Sequence, residues 1–229
     1  MAIVNDMIIK MQKYEYMRRF LLYGEMYMNT LQCFALMDES DGIGDKFENS
    51  LSYIHYKPIN AILKFKNGKE IAVHPTNIKI REYTEENMGN IYSMALVDCD
   101  VKTINGEQVL SIQSKNVIQS IGNDYDTIVL ITNPNQFITR CQKAANDLGY
   151  NLFYDPVEYF TDDNYNKKIE ITPFMKRDKY KAQKEFRLFI DFNSNTPQLL
   201  KIGNISDIAI LIHKSGINSI NCSVLPECL

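Results

Sequence analysis

Residues 128–149 leave the backbone little choice. Ile128–Thr132 (IVLIT) is an apolar run of strand length, too short for a helix. Asn133 follows as an N-cap whose side-chain oxygen can take a free helix amide, and Pro134 sits at the first helical position, where no backbone N–H is needed. Phe137, Cys141, Ala144, Ala145 and Leu148 then recur on one helical face, and Gly149 ends the run. Residues 150–160 return to strand character. A strand, a helix and a strand in this order predict one αβ crossover.

The rest of the chain reads mainly as short strands. Ala61–Phe65 and Glu70–Val73 flank Asn67-Gly68, which supplies the positive φ values a tight hairpin needs. Strands are predicted over Ile78–Tyr83 and Ile91–Val97, and residues 109–121 are ambiguous between strand and helix. Residues 8–23 are predicted as a helix stopped by Gly24, and Glu25–Phe34 as a short strand leading into a second short helix. Phe186–Phe192 alternates, with Phe186, Leu188, Ile190 and Phe192 on one face and Arg187, Phe189 and Asp191 on the other. Leu199–Ile202, Ile208–Ile212 and Ile217–Val224 are expected to pair with it. With 45% hydrophobic and 23% charged residues there is ample material for a core. The expected architecture is α+β: one domain over 1–229, a mostly antiparallel sheet, a few helices and one strand-helix-strand unit.

Several function classes are excluded at this level. A net charge of −3 gives no overall attraction to nucleic acid or membrane. The five cysteines form no C-x-x-C, and the three histidines are far apart, so no zinc pattern exists and no metal is expected. Free thiols fit a reducing compartment. No apolar run approaches the ~20 residues of a spanning helix, and the N-terminal stretch lacks signal-peptide anatomy. The expectation is a soluble cytoplasmic protein with no membrane association. Dinucleotide, P-loop and G-x-S-x-G motifs are absent. The acidic loop 38–48 fails as a calcium loop, because alignment on Gly42 puts Met37 at the first ligand position; it reads as a solvated turn.

Two features carry chemistry. Lys176, Arg177, Lys179, Lys181 and Lys184 place five cations in nine residues, interleaved with Phe174, Tyr180 and Phe186. Such a stretch can hold phosphates beside stacking rings, although a charge run is more often a solvated face. Immediately after it, Glu185 and Arg187 share one face of a strand. They read either as a structural ion pair or as a site, with the carboxylate polarising a ribose hydroxyl and the guanidinium gripping a phosphate.

Two segments also resemble known proteins. Gly24–Phe34 followed by Gly44-Asp45-Lys46-Phe47-Glu48, and much later Pro173-Phe174-Met175-Lys176, Tyr180 and Gln183-Lys184-Glu185-Phe186-Arg187, resemble a broad group of uncharacterised bacterial and prophage proteins. That group carries an early G-D-x-x-E and a late E-[FWY]-R, and tends to occur in mobile elements and near phage-defence genes. The order of motifs is also similar to the ADP-ribosyltransferase fold, in which a split antiparallel sheet clamps NAD and a late-strand glutamate orients the nicotinamide ribose. That resemblance implies the glutamate role for Glu185. The leading expectation is a mobile-element protein that binds a protein partner or a nucleotide signal, in defence or counter-defence, without a cofactor. Its 14 Tyr and 11 Phe are residues suited to interfaces. The alternative is a nucleotide-handling enzyme with NAD as cofactor, Glu185 and Arg187 as catalytic residues, and Lys176, Arg177, Tyr180 and Lys184 binding the ligand. A nucleic-acid binder using residues 176–187 is a further alternative.

Overall fold

The computed structural model describes residues 6–39, 43–57, 60–104, 107–113, 115–121, 124–161, 163, 165–192, 194–219 and 221–223. Asp41 and Gly42 of the acidic loop lie outside them. The class is α+β with mostly antiparallel sheets. The main sheet is built on β7 (Asn90–Ile104), the longest strand. Its order is β10 (Leu152–Pro156), β14 (Glu185–Ile190), β7, β1 (Asp6–Gln12), β9 (Thr127–Ile131), β16 (Ala209–His213). A three-stranded sheet of β12 (Lys168–Glu170), β3 (Ser50–Tyr56) and β6 (Ile78–Tyr83) stands apart from it. The expected hairpin forms as β4 (Ala61–Lys64) and β5 (Glu70–Val73), with Gly68 at φ 82°.

One face of the main sheet is covered by α1 (Tyr14–Tyr23) and α4 (Pro134–Asp147). Met17, Phe20, Phe137 and Cys141 from these helices pack on Ile8, Met94, Ile131, Phe186 and Leu188. On the opposite face α3 (Lys115–Ser120) sends Val117 and Ile118 against Ile9, Ala95, Val97 and Leu130. Helix α4 begins as the sequence predicts: the Asn133 side chain accepts from the Gln136 amide at 3.1 Å. Asn133→Ala is expected to cost about 1 kcal/mol, read as a lower urea midpoint at unchanged slope. The helix carries the chain from β9 to β10 across the three intervening strands, so the crossover stands. Leu148, expected on the apolar face, is exposed, and Ile138 is buried instead.

Two expectations are corrected. Residues 8–23 are not one helix: β1 occupies 6–12 and α1 starts at Tyr14. β1 lies between β7 and β9, so Ile8 and Ile9 are both buried on opposite faces, and the resulting apolar run carries no strand alternation. The late strands do not pair with β14, because β10 and β7 occupy its two edges. Instead β15 (Gln198–Lys201) pairs with β2 (Glu25–Thr30), β16 with β9, and β17 (Asn221–Ser223) with β8 (Glu107–Gln113). Residues 109–121 divide between β8 and α3.

The main sheet is also split. β1 pairs with β7 only as far as Ile9↔Ala95, then follows β9 through Gln12↔Thr127. β2 joins the same edge of β7 at Asn29↔Ile91. Between these points Tyr92–Met94 have no strand neighbour on that edge among the described residues.

Candidate functional site

The two motifs that lie more than a hundred residues apart in sequence meet in space. After α2 (Leu31–Leu36) the chain turns through Gly44–Ser50 into β3. Gly44 sits so close to the preceding chain that a Cβ would lie 2.5 Å from the Met37 carbonyl oxygen, so only glycine fits. Its carbonyl accepts from the Tyr180 hydroxyl at 2.7 Å. Asp45 takes Arg177 Nε at 2.9 Å, and Arg177 also donates to Glu39 at 2.5 Å. Glu39 in turn holds Lys179 at 2.6 Å. The carboxylates Asp45 and Glu48 are therefore buried partners of late cations, which corrects the expectation of a solvated turn.

Arg187 is the centre of the second contact. It is 1% exposed. Its guanidinium grips Glu48 with both terminal nitrogens, donates from Nε to Glu185 Oε1 at 2.7 Å, and reaches the Pro173 carbonyl at 2.5 Å. Glu185 also accepts from the Ser93 hydroxyl at 2.5 Å and from Lys176 Nζ at 3.0 Å. The Glu185 amide donates to the Tyr159 phenol oxygen at 2.8 Å. Lys176 further donates to Gln183 and lies over the Tyr180 ring, 4.5 Å from its centroid. Strand β13 (Met175–Arg177) divides the labour: Lys176 turns toward Glu185, and Arg177, one residue on, turns toward Asp45.

This network forms the wall of a cavity of about 250 Å³ at the split in the sheet. Glu48, Lys176, Glu185 and Arg187 line it from one side. Lys10, Gln12, Asn29 and Ser93 line it at the gap between β1, β2 and β7, with Tyr27, Phe34, Tyr92 and Tyr125 as its aromatic surfaces. Lys10 bridges the gap: its Nζ donates to the Ser93 carbonyl at 2.5 Å and sits 4.4 Å from the Tyr92 ring centroid. Glu185 and Arg187 are thus buried ion partners that also line a hollow.

The electrostatics are uneven. Burial alone would raise the Glu185 carboxyl, but Arg187 and then Lys176 outweigh it and hold the group well below the usual carboxylate range. Glu48 shares the same guanidinium, and burial lifts its carboxyl above the usual range. Burial also pushes the Lys10 ammonium down to about 8, with Glu185 opposing the shift. Glu39 is held at about 2: burial opposes this, and Lys179, the Lys46 amide and Arg177 overcome it.

These shifts set an acid limit. A carboxylate depressed in the folded state stabilises the fold above its unfolded value, about 4.3, and that contribution is lost as pH falls through the folded value. Glu185 and Glu39 both act in this direction, whereas the raised Glu48 relieves a cost as it protonates. The urea midpoint is expected to fall from pH 5 toward pH 2, and Glu39→Gln to flatten part of the slope between about 4.3 and about 2. A pH-independent midpoint over that interval contradicts the assignment.

Of the residues singled out in the sequence, Lys176, Glu185 and Arg187 line the cavity. Tyr180 ties the Gly44 turn to the basic stretch, and Arg177 faces a separate hollow. Lys184 turns away to pair with Asp98. Lys10, Asn29, Tyr92 and Ser93 were not singled out. The available signal was Lys10, a lone charge inside the apolar run Met7–Met11. Among the described residues no group of three or more His, Cys, Asp or Glu is placed to hold a metal ion, and no helix is long and apolar enough to cross a membrane. No protein-family model, curated protein or solved structure matches this chain.

Proposed function

We propose that the chain binds a nucleotide-class ligand in the cavity at the split of the main sheet. The observation that carries this reading is the charge arrangement of its wall. Lys10, Lys176 and Arg187 outnumber Glu48 and Glu185, so a cation excess faces a hollow that also presents aromatic rings. Phosphate would meet the ammonium groups, chiefly Lys10, whose one protein hydrogen bond among the described residues goes to the Ser93 carbonyl. A base or nicotinamide-like ring would lie against Tyr27, Phe34 or Tyr125. Binding of a nucleotide signal in this way suits a defence or counter-defence protein of a mobile element. Titration calorimetry with a panel of mono- and dinucleotides tests it. Binding by the wild type, weakened at least tenfold by Lys10→Met at unchanged urea midpoint, is the expected result. No heat from any member of the panel removes the reading.

One observation favours a second reading, NAD-handling chemistry. Glu185 is a carboxylate held in its anionic form, beside a serine hydroxyl, at the rim of a cavity. The cavity is smaller than the ~300–1,000 Å³ that encloses a drug-sized ligand, so the residues fit the ribose end of NAD, with the remainder outside. NAD would supply a ribose bearing a good leaving group. Glu185 would offer a fixed negative charge to the developing positive charge on that ribose, and Lys10 and Lys176 would hold phosphate. Release of nicotinamide by the wild type and its loss in Glu185→Gln supports this reading, while equal release by both excludes it.

A further inference from the structure

A second hollow lies behind the first, across β13 and the Gly44–Glu48 turn. It measures about 300 Å³ and is lined by Lys46, Phe47, Tyr53, Lys79, Arg81 and Arg177. The local imbalance is strong for a chain of net charge −3: four of its six lining residues are cations and none is an acid. The arrangement follows from register. On β6, Lys79 and Arg81 alternate with Ile80 and Glu82, and Arg81 pairs directly across from Tyr53 on β3. Glu82 therefore points to the other face, where it meets Ser52 and Lys168.

The cations are also oriented. Two guanidiniums approach the Phe47 ring, Arg177 at 4.7 Å and Arg81 at 5.8 Å from its centroid. Arg81 additionally lies 5.3 Å from the Tyr83 ring centroid. A guanidinium held over a ring loses little freedom on binding an anion. Arg177 gives Nε and one terminal nitrogen to Asp45 and Glu39, which leaves its other terminal nitrogen for an anion. Lys46 and Arg81 make no ion pair with any described residue.

We infer that this groove is an oligophosphate-binding site, separate from the sheet-split cavity, that takes a short phosphate chain carrying several negative charges. The Arg81 guanidinium suits phosphate oxygens in a forked arrangement, Arg177 adds a fixed positive charge, and Lys46 adds a mobile one. The reading does not depend on a ligand in the first cavity.

The probe is inorganic tripolyphosphate, followed by titration calorimetry on the full chain. Wild type should bind it, and more weakly as salt rises. The double variant Lys46→Ser/Arg81→Ser changes side chains outside the buried network and should weaken binding at least tenfold at unchanged urea midpoint. Lys10→Met should leave this binding intact. Absence of binding by the wild type overturns the inference. So does loss of binding in Lys10→Met with retention in the double variant, which moves the phosphate to the first cavity. A ten-nucleotide single strand that binds much more tightly than tripolyphosphate, and depends on the same two residues, overturns it in favour of nucleic acid.

Discussion

Replacing Arg187 by methionine is expected to destabilise the protein by about 3–5 kcal/mol, the cost of removing one partner from a buried ion network. The reason is what remains. Glu48 and Glu185 are 6% and 5% exposed, and both rely on this guanidinium. Lys176 reaches Glu185 but makes no hydrogen bond to Glu48. Without Arg187, Glu48 must take up a proton or stay charged and unpaired, and the Pro173 carbonyl loses its donor. At ~2–4 °C per kcal/mol for a chain of this size, the melting temperature should drop by roughly 6–20 °C. Arg187→Lys keeps the charge but loses the fork that spans two carboxylates, so it should fall between wild type and methionine. Adding Glu48→Gln to Arg187→Met should recover part of the loss, because Glu48 is the carboxylate left without a cation while Glu185 keeps Lys176. A methionine variant as stable as wild type, by denaturant unfolding, contradicts the network.

Gly89→Ala should be of similar size and acts on the same strand by a different route. Gly89 has φ 147°, a conformation that residues with a side chain rarely adopt. An added Cβ would lie 2.3 Å from the Phe189 ring and 2.4 Å from the Ile190 carbonyl oxygen. Backbone strain of ~1–3 kcal/mol and overpacking of ~1–3 kcal/mol add to about 2–6 kcal/mol. The injury also travels. Phe189 lies on the β14 face that carries Glu185 and Arg187, so moving it disturbs the cavity wall. Beyond lower stability, the variant should bind any cavity ligand less well. Unchanged unfolding would mean that Gly89 is not packed against β14.

How much of this was legible in the sequence depends on the kind of signal. The α+β class, helix α4, the β4–β5 hairpin and the alternation in β14 were readable because each rests on local chemistry: a cap, a turn glycine, a period. Strand β1 was not, because a strand buried on both faces loses its alternation and its Ile-Ile-Lys-Met run reads equally well as helix. The late strands were found, but their partners were not. Pairing is decided by which edges remain free, and β14 had none. Glu185 and Arg187 could be named from their spacing, whereas their third partner, Glu48, sits 139 positions from Arg187. Lys10 and Ser93 face the cavity only because β1 peels away from β7, a departure that no local pattern records.

Ligand binding at the sheet split requires Lys10 and Glu185 to face the gap between β1 and β7. The most direct measurement is a carbon-13 NMR titration of reductively methylated lysines, with the Lys10 signal assigned by Lys10→Arg. The expected result is a Lys10 midpoint of about 8, well below the ordinary lysine value of about 10.4, and a shift of that signal on adding the nucleotide that binds best. A Lys10 signal that titrates with the surface lysines and ignores every nucleotide would contradict it.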